Sequence, residues 1–459
     1  MDNSEGMDNK RLTNKTYHKE NKSMNSYKIV ETCRICGNNN LVSLFSLGKQ
    51  VLSGIFPESV EQRIPETPLD LVKCDIEVNS NTCGLLQLKY SADVEEMYGT
   101  TYGYYSSLSS SMVNHLQKIL DKLSRIRTLR SGDAVLDIGC NDGTLLNLIK
   151  VDGLQKVGID PSSKKFSERF DKDINLICDY FSDKLVRENF GDIEFHQITA
   201  IAMFYDLDEP IKFLKQIRSL LAKDGIWAIE IFYLPTMLTN LVYDQICHEH
   251  VTYPSLTQIE WMTTEAGLKI LDVDFNNVNG GSFLVQGSRE DSNYKPEINT
   301  IRHILNAEKP LQHIETYRRF EKRIHTNKND TNKFINNVNS KGQTVIGYGA
   351  STKGNIVLNY CGIGPDQLPA ICDVNPEKWG RITPGSHIPI ISKEEMRKIN
   401  PDYLFVLIWH FHREVLEDEC EYVINGGKIA FHLPRLHIVD KSNYEHHLHS
   451  GFSDYGYTI

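Results

Sequence analysis

The chain has 459 residues, of which 40% are hydrophobic and 24% are charged, and its formal net charge is -10. A length of this order predicts roughly two to four domains with ordinary apolar cores. The acidic balance argues against a nucleic-acid-binding protein, because such proteins usually present a basic face. The sequence contains no apolar run of about eighteen residues, so no membrane-spanning helix is expected.

The first segment, residues 1–28, is polar and rich in Asn and Lys, without the apolar core of a secretory signal. It is predicted to be a disordered tail. Ten cysteines in a long chain without such a signal indicate reduced thiols rather than a disulfide framework. We therefore expect a cytoplasmic protein.

Four cysteines follow early in the chain. Cys33 and Cys36 form a C-x2-C knuckle, and Cys74 and Cys83 form a wider pair with a polar insert between them. Zinc is held by soft thiolates in a tetrahedron, and four thiolates leave no open position, so the pattern favours a structural zinc site. The alternative is that these residues are small buried apolar side chains. Residues 29–95 are predicted to form this domain.

A Tyr-rich and Ser-rich connector, MYGTTYGYYSSLSSSM, precedes an amphipathic helix. Tyrosine rings and hydroxyls suit stacking on a sugar or base. A packed interdomain segment fits the same composition, and the sequence leaves both interpretations open.

The stretch VLDIGCNDGTLL, from Val135 to Leu146, has the pattern of a strand, a Gly-rich turn and a helix. Asp160 closes the next strand, 21 positions after Gly139, and is placed to bind ribose hydroxyls. The turn is not G-x-G-x-x-G, and Asp137 would repel phosphates, so a cationic ligand such as S-adenosylmethionine (SAM) is favoured over NAD. Asp179, after the third strand, could reach the adenine amino group. The alternating strands and helices over 96–295 predict an α/β fold with a class I methyltransferase sheet.

A histidine-rich loop follows the fifth predicted strand. His248, Glu249 and His250 are adjacent, with Tyr233 nearby. Loops at the carboxyl ends of strands carry the chemistry of open α/β sheets, and an imidazole can remove a proton next to a carbonyl. The spacing is not the H-E-x-x-H of a zinc protease helix. Two satisfied surface histidines are the alternative.

The C-terminal third, residues 296–459, contains a second strand, turn and helix in TVIGYGASTKG. Gly349, Ser351 and Lys353 in its loop offer N–H groups, a hydroxyl and a cation, which suit a phosphate. This predicts a second Rossmann-like α/β domain with a diphosphate or nucleotide cradle. A related fold that binds no ligand is the alternative.

Taken together, the chain resembles the three-domain sugar C-methyltransferase family. The matching stretches run from about Cys33 to about Pro434 and are CRICG, MYGTTYGYYSSLSSSM, VLDIGCNDGTLL, AMFYDLDEP, PTMLTNLVYDQICHEH, NGGSF, YGASTKGN, NPEKWGRITPG and WHFHRE. The resemblance implies a zinc-binding N-terminal domain, a SAM-dependent methyltransferase domain and a C-terminal Rossmann-like domain. It implies methyl transfer to a ring carbon of a nucleotide-linked keto-deoxysugar, a small-molecule substrate, with no nucleic acid or membrane as partner.

The resemblance also implies roles for individual residues. Cys33, Cys36, Cys74 and Cys83 would hold zinc, and Gly139, Asn141 and Asp160 would contact SAM. His250 would be the general base with Glu249 as its partner, and Tyr102 and Tyr104 would line the substrate pocket. Some relatives carry Tyr three positions before that His, where this chain has Cys247, a poor hydrogen-bond donor. His248 or a tyrosine from elsewhere would then stabilise the enolate.

Two other functions remain open at the level of sequence. One is an O- or N-methyltransferase acting on another small metabolite. The other is a non-catalytic protein that binds a nucleotide sugar. Neither the sugar nor the oligomeric state follows from the sequence.

Overall fold

The computed structural model describes residues 27–76, 82–93, 97, 105–450 and 456. Its N-terminal part is built from antiparallel strands: a two-stranded ribbon of β1 and β5, and a sheet with the order β11-β4-β3-β2. The strands are β1 (Tyr27–Ile29), β2 (Leu41–Val51), β3 (Glu66–Cys74), β4 (Leu86–Leu88), β5 (Tyr90–Ala92) and the distant β11 (Thr252–Tyr253). Because β11 follows the histidine-rich loop, that loop is fixed to the N-terminal sheet.

The central sheet has the order β12-β13-β10-β9-β6-β7-β8. The five strands from β10 to β8 are parallel, and β13 is antiparallel to both of its neighbours. Its strands are β6 (Ala134–Ile138), β7 (Gln155–Ile159), β8 (Ile174–Ile177), β9 (Phe195–Ile201), β10 (Leu221–Phe232), β12 (Leu268–Asn276) and β13 (Ser282–Arg289). The strand order reverses between β6 and β9, so ligands are expected beyond the carboxyl ends of these two strands.

Amphipathic and apolar helices cover this sheet. They are α1 (Ser110–Ile126), α2 (Thr144–Leu148), α3 (Asp183–Phe190), α4 (Pro210–Leu220), α5 (Leu234–Thr239) and α6 (Leu256–Glu265). The apolar face of α1 buries Leu116, Ile119 and Leu123, spaced three and four residues apart, as expected for one helix face. Ser255 begins α6 with a capping box that includes Gln258.

The C-terminal sheet has the order β16-β15-β14-β17-β18-β19 and is parallel except for the last pair. Its strands are β14 (Val345–Tyr348), β15 (Ile371–Cys372), β16 (Ile390–Ile391), β17 (Tyr403–Val406), β18 (Lys428–Phe431) and β19 (His437–Val439). Its helices are α9 (Thr352–Cys361), α10 (Lys393–Ile399), α11 (His412–Asp418), α12 (Cys420–Ile424) and α13 (Tyr444–Ser450). The order reverses between β14 and β17, which places a second switch point beside the loop that carries Lys353.

Two helices, α7 (Ile298–Ala307) and α8 (Ile314–Ser340), connect the central and C-terminal sheets. Glu308, after α7, is 2% exposed and accepts hydrogen bonds from the first backbone N–H groups of α6 and from the Tyr233 hydroxyl. Glu308 therefore packs against residues on the other side of the domain boundary predicted at residue 296. The position of that boundary stays a prediction. None of the helices in the described ranges combines the length and apolarity needed to cross a membrane.

The predicted fold class is confirmed by the strand orders: an α/β chain with the central sheet predicted for a class I methyltransferase, preceded by a small domain and followed by a second Rossmann-like domain.

Candidate active site

The Gly-rich turn lies at the carboxyl end of β6, as predicted. Gly139 has a φ of +73°, and a Cβ added there would meet Cγ of Met203 at 3.0 Å, so glycine is strongly favoured. Asp160 follows β7, and its Oδ2 accepts a hydrogen bond from the backbone N–H of Asn141 at 2.9 Å. The side chain of Asn141 accepts from the backbone N–H of Ser106 at 3.0 Å. Hydrogen bonds therefore join the Gly-rich turn to Asp160 and to Ser106, which lies before α1.

Asp137 is buried in β6 and accepts a hydrogen bond from the Thr199 hydroxyl at 2.6 Å. Burial, with a smaller contribution from the charge of Asp160, raises the pKa of Asp137 to about 7. Asp179 is exposed just beyond β8, and its carboxylate accepts from the next backbone N–H. The structure therefore places Asp137, Gly139, Asn141 and Asp160 in one cluster, with Asp179 at the end of a neighbouring strand.

This cluster fits a cationic adenosyl ligand. Asp137 and Asp160 are acceptors beside the turn, and the positive φ of Gly139 turns the backbone where a ligand meets the sheet edge. A bound cation near Asp137 would favour its charged form and offset the cost of burying that carboxylate. Asp160 and Asn141 would hold the adenosine part, and the ligand would supply an electrophilic methyl group.

His250 lies in the loop between β10 and β11 and is 9% exposed. Its Nδ1 is 2.8 Å from the carbonyl oxygen of Gln245, which can only accept, so Nδ1 carries the proton and Nε2 is the basic nitrogen. The ring packs against Tyr205 and Phe232, with centroids 4.3 and 5.6 Å away. Burial, reinforced by the charge of Lys353, lowers the pKa of His250 to about 3, so the imidazole is neutral at physiological pH.

The two neighbours of His250 have different environments. Nε2 of His248 lies 3.1 Å from the carbonyl oxygen of Thr67 in β3, so this ring joins the histidine loop to the N-terminal sheet. Burial lowers the pKa of His248 to about 4. Burial raises the pKa of Glu249, whose Oε2 has no hydrogen-bond partner among the described residues. The position of Glu249 suits a ligand contact, whereas that of His248 suits interdomain packing.

The predicted cradle of the C-terminal domain lies next to these residues. Ser351 caps α9 by accepting from the backbone N–H of Gly354 at 2.9 Å, and Gly349 has a φ of +86°. Nζ of Lys353 donates to Oδ1 of Asn279 at 3.3 Å, and no described carboxylate forms an ion pair with it. Burial lowers the pKa of Lys353, opposed by the charge of Asp244. The loop thus offers a partly desolvated cation to an anionic ligand.

All three parts of the chain meet at this point. A Cβ added to Gly54, after β2, would lie 3.2 Å from Oε1 of Glu249 and 3.8 Å from Oγ1 of Thr352. The side-chain amide of Asn355 in α9 donates to the carbonyl oxygen of Ser53 at 2.8 Å. Residues of the N-terminal part, the histidine-rich loop and the C-terminal part therefore meet at the candidate active site.

A cleft at the carboxyl ends of β9 and β10 is lined by residues that include Ala202, Tyr205, Phe232, Gln245 and Asn279. The turn between β12 and β13 also reaches this cleft: Asn279 has a φ of +57°, and its carbonyl oxygen accepts a hydrogen bond from the Gln245 side chain at 2.9 Å.

Sequence reasoning missed one polar group in the cleft, Glu230 in β10. Its Oε1 lies 2.7 Å from Nε2 of His115 in α1, and its Oε2 accepts from the Asn276 side chain at 2.8 Å. A charged residue in an otherwise apolar central strand, WAIEIF, is the signal that would have found it.

Tyr233, which the sequence places near the histidine-rich loop, is a predicted substrate contact that does not line the cleft. The Tyr233 hydroxyl donates to Oε1 of Glu308 at 2.9 Å, and its ring packs against Phe275 and Phe283. Tyr233 therefore serves packing here. Tyr102 and Tyr104 lie outside the described residues.

The four predicted metal ligands converge. The Sγ atoms of Cys33, Cys36, Cys74 and Cys83 all lie within 4.8 Å of one another, with Cys33 to Cys83 at 3.4 Å and Cys36 to Cys74 at 3.5 Å. Zn–S bonds of about 2.3 Å in a tetrahedron put sulfurs roughly 3.8 Å apart, so the arrangement fits zinc. The backbone of Gly37 donates to the carbonyl of Cys33 at 2.9 Å and closes the knuckle.

Family models match the three parts of the chain in order. Residues 33–98 match a zinc binding domain, residues 112–273 a methyltransferase domain, and residues 277–434 a C-methyltransferase C-terminal domain. The first and last of these descriptions agree with the cysteine cluster and with the second Rossmann-like sheet.

The chain is also similar to individual proteins. It is 29% identical over 419 residues to the C-methyltransferase NovU of Streptomyces niveus, covering 89% of this chain and 97% of that protein. It is 30% identical over 112 residues to a tRNA U34 carboxymethyltransferase of Campylobacter lari, covering 22% of this chain and 36% of that protein. A solved 1,6-didemethyltoxoflavin-N1-methyltransferase of Burkholderia thailandensis has a TM-score of 0.30 and 15% identity, covering 39% of this chain and 78% of that one.

Proposed function

Because the chain belongs to the three-domain C-methyltransferase family and is a SAM-dependent methyltransferase, we propose that it methylates a ring carbon of a nucleotide-linked keto-deoxysugar with His250 as general base. The observation that carries the proposal is the tautomer of His250. Its Nδ1–H is held by the Gln245 carbonyl, which leaves Nε2 to accept a proton in a site that also contains Lys353.

A ring carbon becomes a nucleophile only as an enolate, so the substrate needs a ketone next to it. Nε2 of His250 takes the proton, and the Gln245 carbonyl stabilises the imidazolium through Nδ1–H. An edge-to-face contact with Tyr205 and a tilted contact with Phe232 hold the ring in its orientation. Holding the enolate carbon in line with the methyl donor then supplies much of the rate acceleration.

The free-enzyme pKa of His250, about 3, is low for a base, and the charge of Lys353 is one of its causes. A substrate diphosphate at Lys353 would neutralise that charge and raise the pKa of His250 when substrate is bound. We place the diphosphate at Lys353 and at the loop of Gly349 and Ser351 for this reason. The basicity of His250 would thus depend on a nucleotide-linked substrate.

The enolate oxygen needs a donor that Cys247 does not provide. The Cys247 thiol is buried, and burial raises its pKa well above the ordinary value. Tyr205 lines the cleft and its ring lies on His250. We assign the Tyr205 hydroxyl as the oxyanion donor, worth about 10²- to 10³-fold in rate for a group of this kind.

The proposal includes a structural Zn²⁺ on the four-cysteine cluster, supported by the convergence of the four sulfurs. All ten cysteines are free of disulfides. That supports a reducing compartment, the cytoplasm, as the site of action.

The test is transfer of a labelled methyl group from SAM to a panel of nucleotide-linked keto-deoxysugars, with the product bond identified by NMR. We expect a new carbon–carbon bond with wild type and with His303→Gln, an exposed histidine on α7. His250→Gln is expected to lose about 10²- to 10⁴-fold in turnover. A methyl group on oxygen or nitrogen would overturn the proposal, as would equal turnover by His250→Gln.

A further inference from the structure

Three histidines form a second candidate metal centre, far along the chain from the cysteines. His412 begins α11, His437 begins β19 and His447 lies in α13. One ring nitrogen from each lies within 4.8 Å of the other two, and the three residues are only 3%, 8% and 3% exposed. We refer to these residues as the three-histidine cluster.

We propose that the three-histidine cluster binds a borderline divalent transition metal, Zn²⁺ or an ion of the same class. Imidazole is the ligand that suits zinc, copper, nickel and cobalt. Zn–N bonds of about 2.0–2.1 Å in a tetrahedron put nitrogens roughly 3.3 Å apart, within the limit that the cluster already meets. This site is independent of the proposed methyl transfer.

The tautomer of one member supports a ligand role. Nδ1 of His437 lies 2.7 Å from the carbonyl oxygen of Arg435, so Nδ1 carries the proton and Nε2 keeps its lone pair. A backbone carbonyl that fixes the second nitrogen is the usual support of a metal-binding histidine. Nε2 is therefore the nitrogen through which His437 would coordinate the metal.

The surroundings also favour a metal over three protonated rings. The ring of Phe431 packs on His412 with centroids 4.5 Å apart and stacks on His437 at 5.3 Å, and His437 stacks on His447 at 5.3 Å. Three imidazolium charges this close in an aromatic enclosure would repel strongly, so the three rings are not all protonated. Neutral buried imidazoles whose nitrogens converge are the form that coordinates a metal.

A metal here would join three separate segments at the end of the chain. The helix α13 has seven residues, too few to be stable alone. A described hydrogen bond holds it to α11, from the Tyr444 hydroxyl to the Leu416 carbonyl at 2.9 Å. Coordination by His447 would add a cross-link from α13 to α11 and to the edge strand β19. The proposed site would therefore connect three segments of the C-terminal domain through three protein ligands.

The experiment is a Co²⁺ titration of the full chain after removal of bound metal, followed by absorption spectroscopy. We expect two equivalents bound by wild type: one with thiolate charge-transfer bands from the cysteines and one without them. His447→Asn should bind only the thiolate equivalent. The matched control is His449→Asn, an exposed histidine on the same helix, which should bind two.

A second readout guards against a misfolded variant. Zn²⁺ should raise the Tm of wild type and His449→Asn more than that of His447→Asn, and His412→Gln should repeat the loss with unchanged far-ultraviolet circular dichroism. Binding of a single equivalent by wild type would overturn the proposal. So would binding of two equivalents by both His447→Asn and His412→Gln.

Discussion

Lys353 connects the C-terminal domain to the reaction in this account, and replacing it by methionine isolates its charge. In the structure its ammonium group contacts the neutral Asn279 side chain at a long 3.3 Å, and no described carboxylate forms an ion pair with it. A partly desolvated cation that forms no ion pair with the described residues suits an anionic ligand. Lys353→Met keeps most of the side-chain volume and removes the charge together with the long hydrogen bond to Asn279.

A hydrogen bond to a charged group contributes about 1.5–3 kcal/mol, which corresponds to an increase in KM for the nucleotide sugar of roughly 10- to 150-fold. The affinity for SAM, measured by calorimetry, should not change, because the Gly139 turn belongs to the central domain. The Tm should stay equal or rise, since an unpaired buried charge is removed. Lys341→Met, an exposed lysine beyond α8, is the control.

Steady-state kinetics at varied nucleotide-sugar concentration provides the assay. An unchanged KM would refute the placement of the diphosphate at Lys353. A fall in kcat with constant KM would also refute it, because it would assign the ammonium group to the transition state instead of to ground-state binding.

Three further outcomes are expected. Gly139→Ala should lower the free energy of unfolding by about 1–2 kcal/mol, because φ there is +73°, and should weaken SAM binding in calorimetry. Cys74→Ser should lose the zinc of the cysteine cluster in metal analysis. Stability should fall as the pH drops from about 6.5 to 5 in denaturant titrations: the pKa values of buried His248 and His432 are both lowered to about 4, so the unfolded chain takes up protons first, costing about 2 kcal/mol per histidine.

Each of these three predictions can be contradicted by a specific result. Wild-type SAM affinity in Gly139→Ala would contradict the role of the turn. Cys178→Ser, an exposed cysteine, should retain the metal, and equal metal content in both cysteine variants would contradict the ligand assignment. A free energy of unfolding that stays constant between pH 6.5 and 5 would show that the histidines are protonated in the folded state.

Much of the fold follows from local sequence. The strand, turn and helix around Gly139 and the capped loop at Ser351 are short-range patterns, and both lie where they were predicted. The cysteine cluster also follows, because zinc ligand spacing is specific even when Cys74 and Cys83 are far from Cys33 in sequence.

Contacts between residues that are distant in the chain could not be predicted from the sequence. Glu249 lies beside Gly54 and Thr352 because three domains pack together, and no periodicity records that packing. The same is true of Tyr233, which faces Glu308, 75 positions away, instead of the cleft. Strand β11 consists of only two residues, Thr252 and Tyr253, and pairs with a strand that lies much earlier in the chain. So short a segment carries no sequence pattern that would predict its pairing partner.

Removal of a proton by His250 is the central claim, and solvent exchange tests it without methyl transfer. The keto-sugar is incubated in D₂O with the enzyme and S-adenosylhomocysteine, and deuterium at the carbon next to the ketone is followed by NMR. The account predicts exchange with wild type and His303→Gln, and at least about 100-fold slower exchange with His250→Gln. Exchange at the wild-type rate in His250→Gln would contradict it.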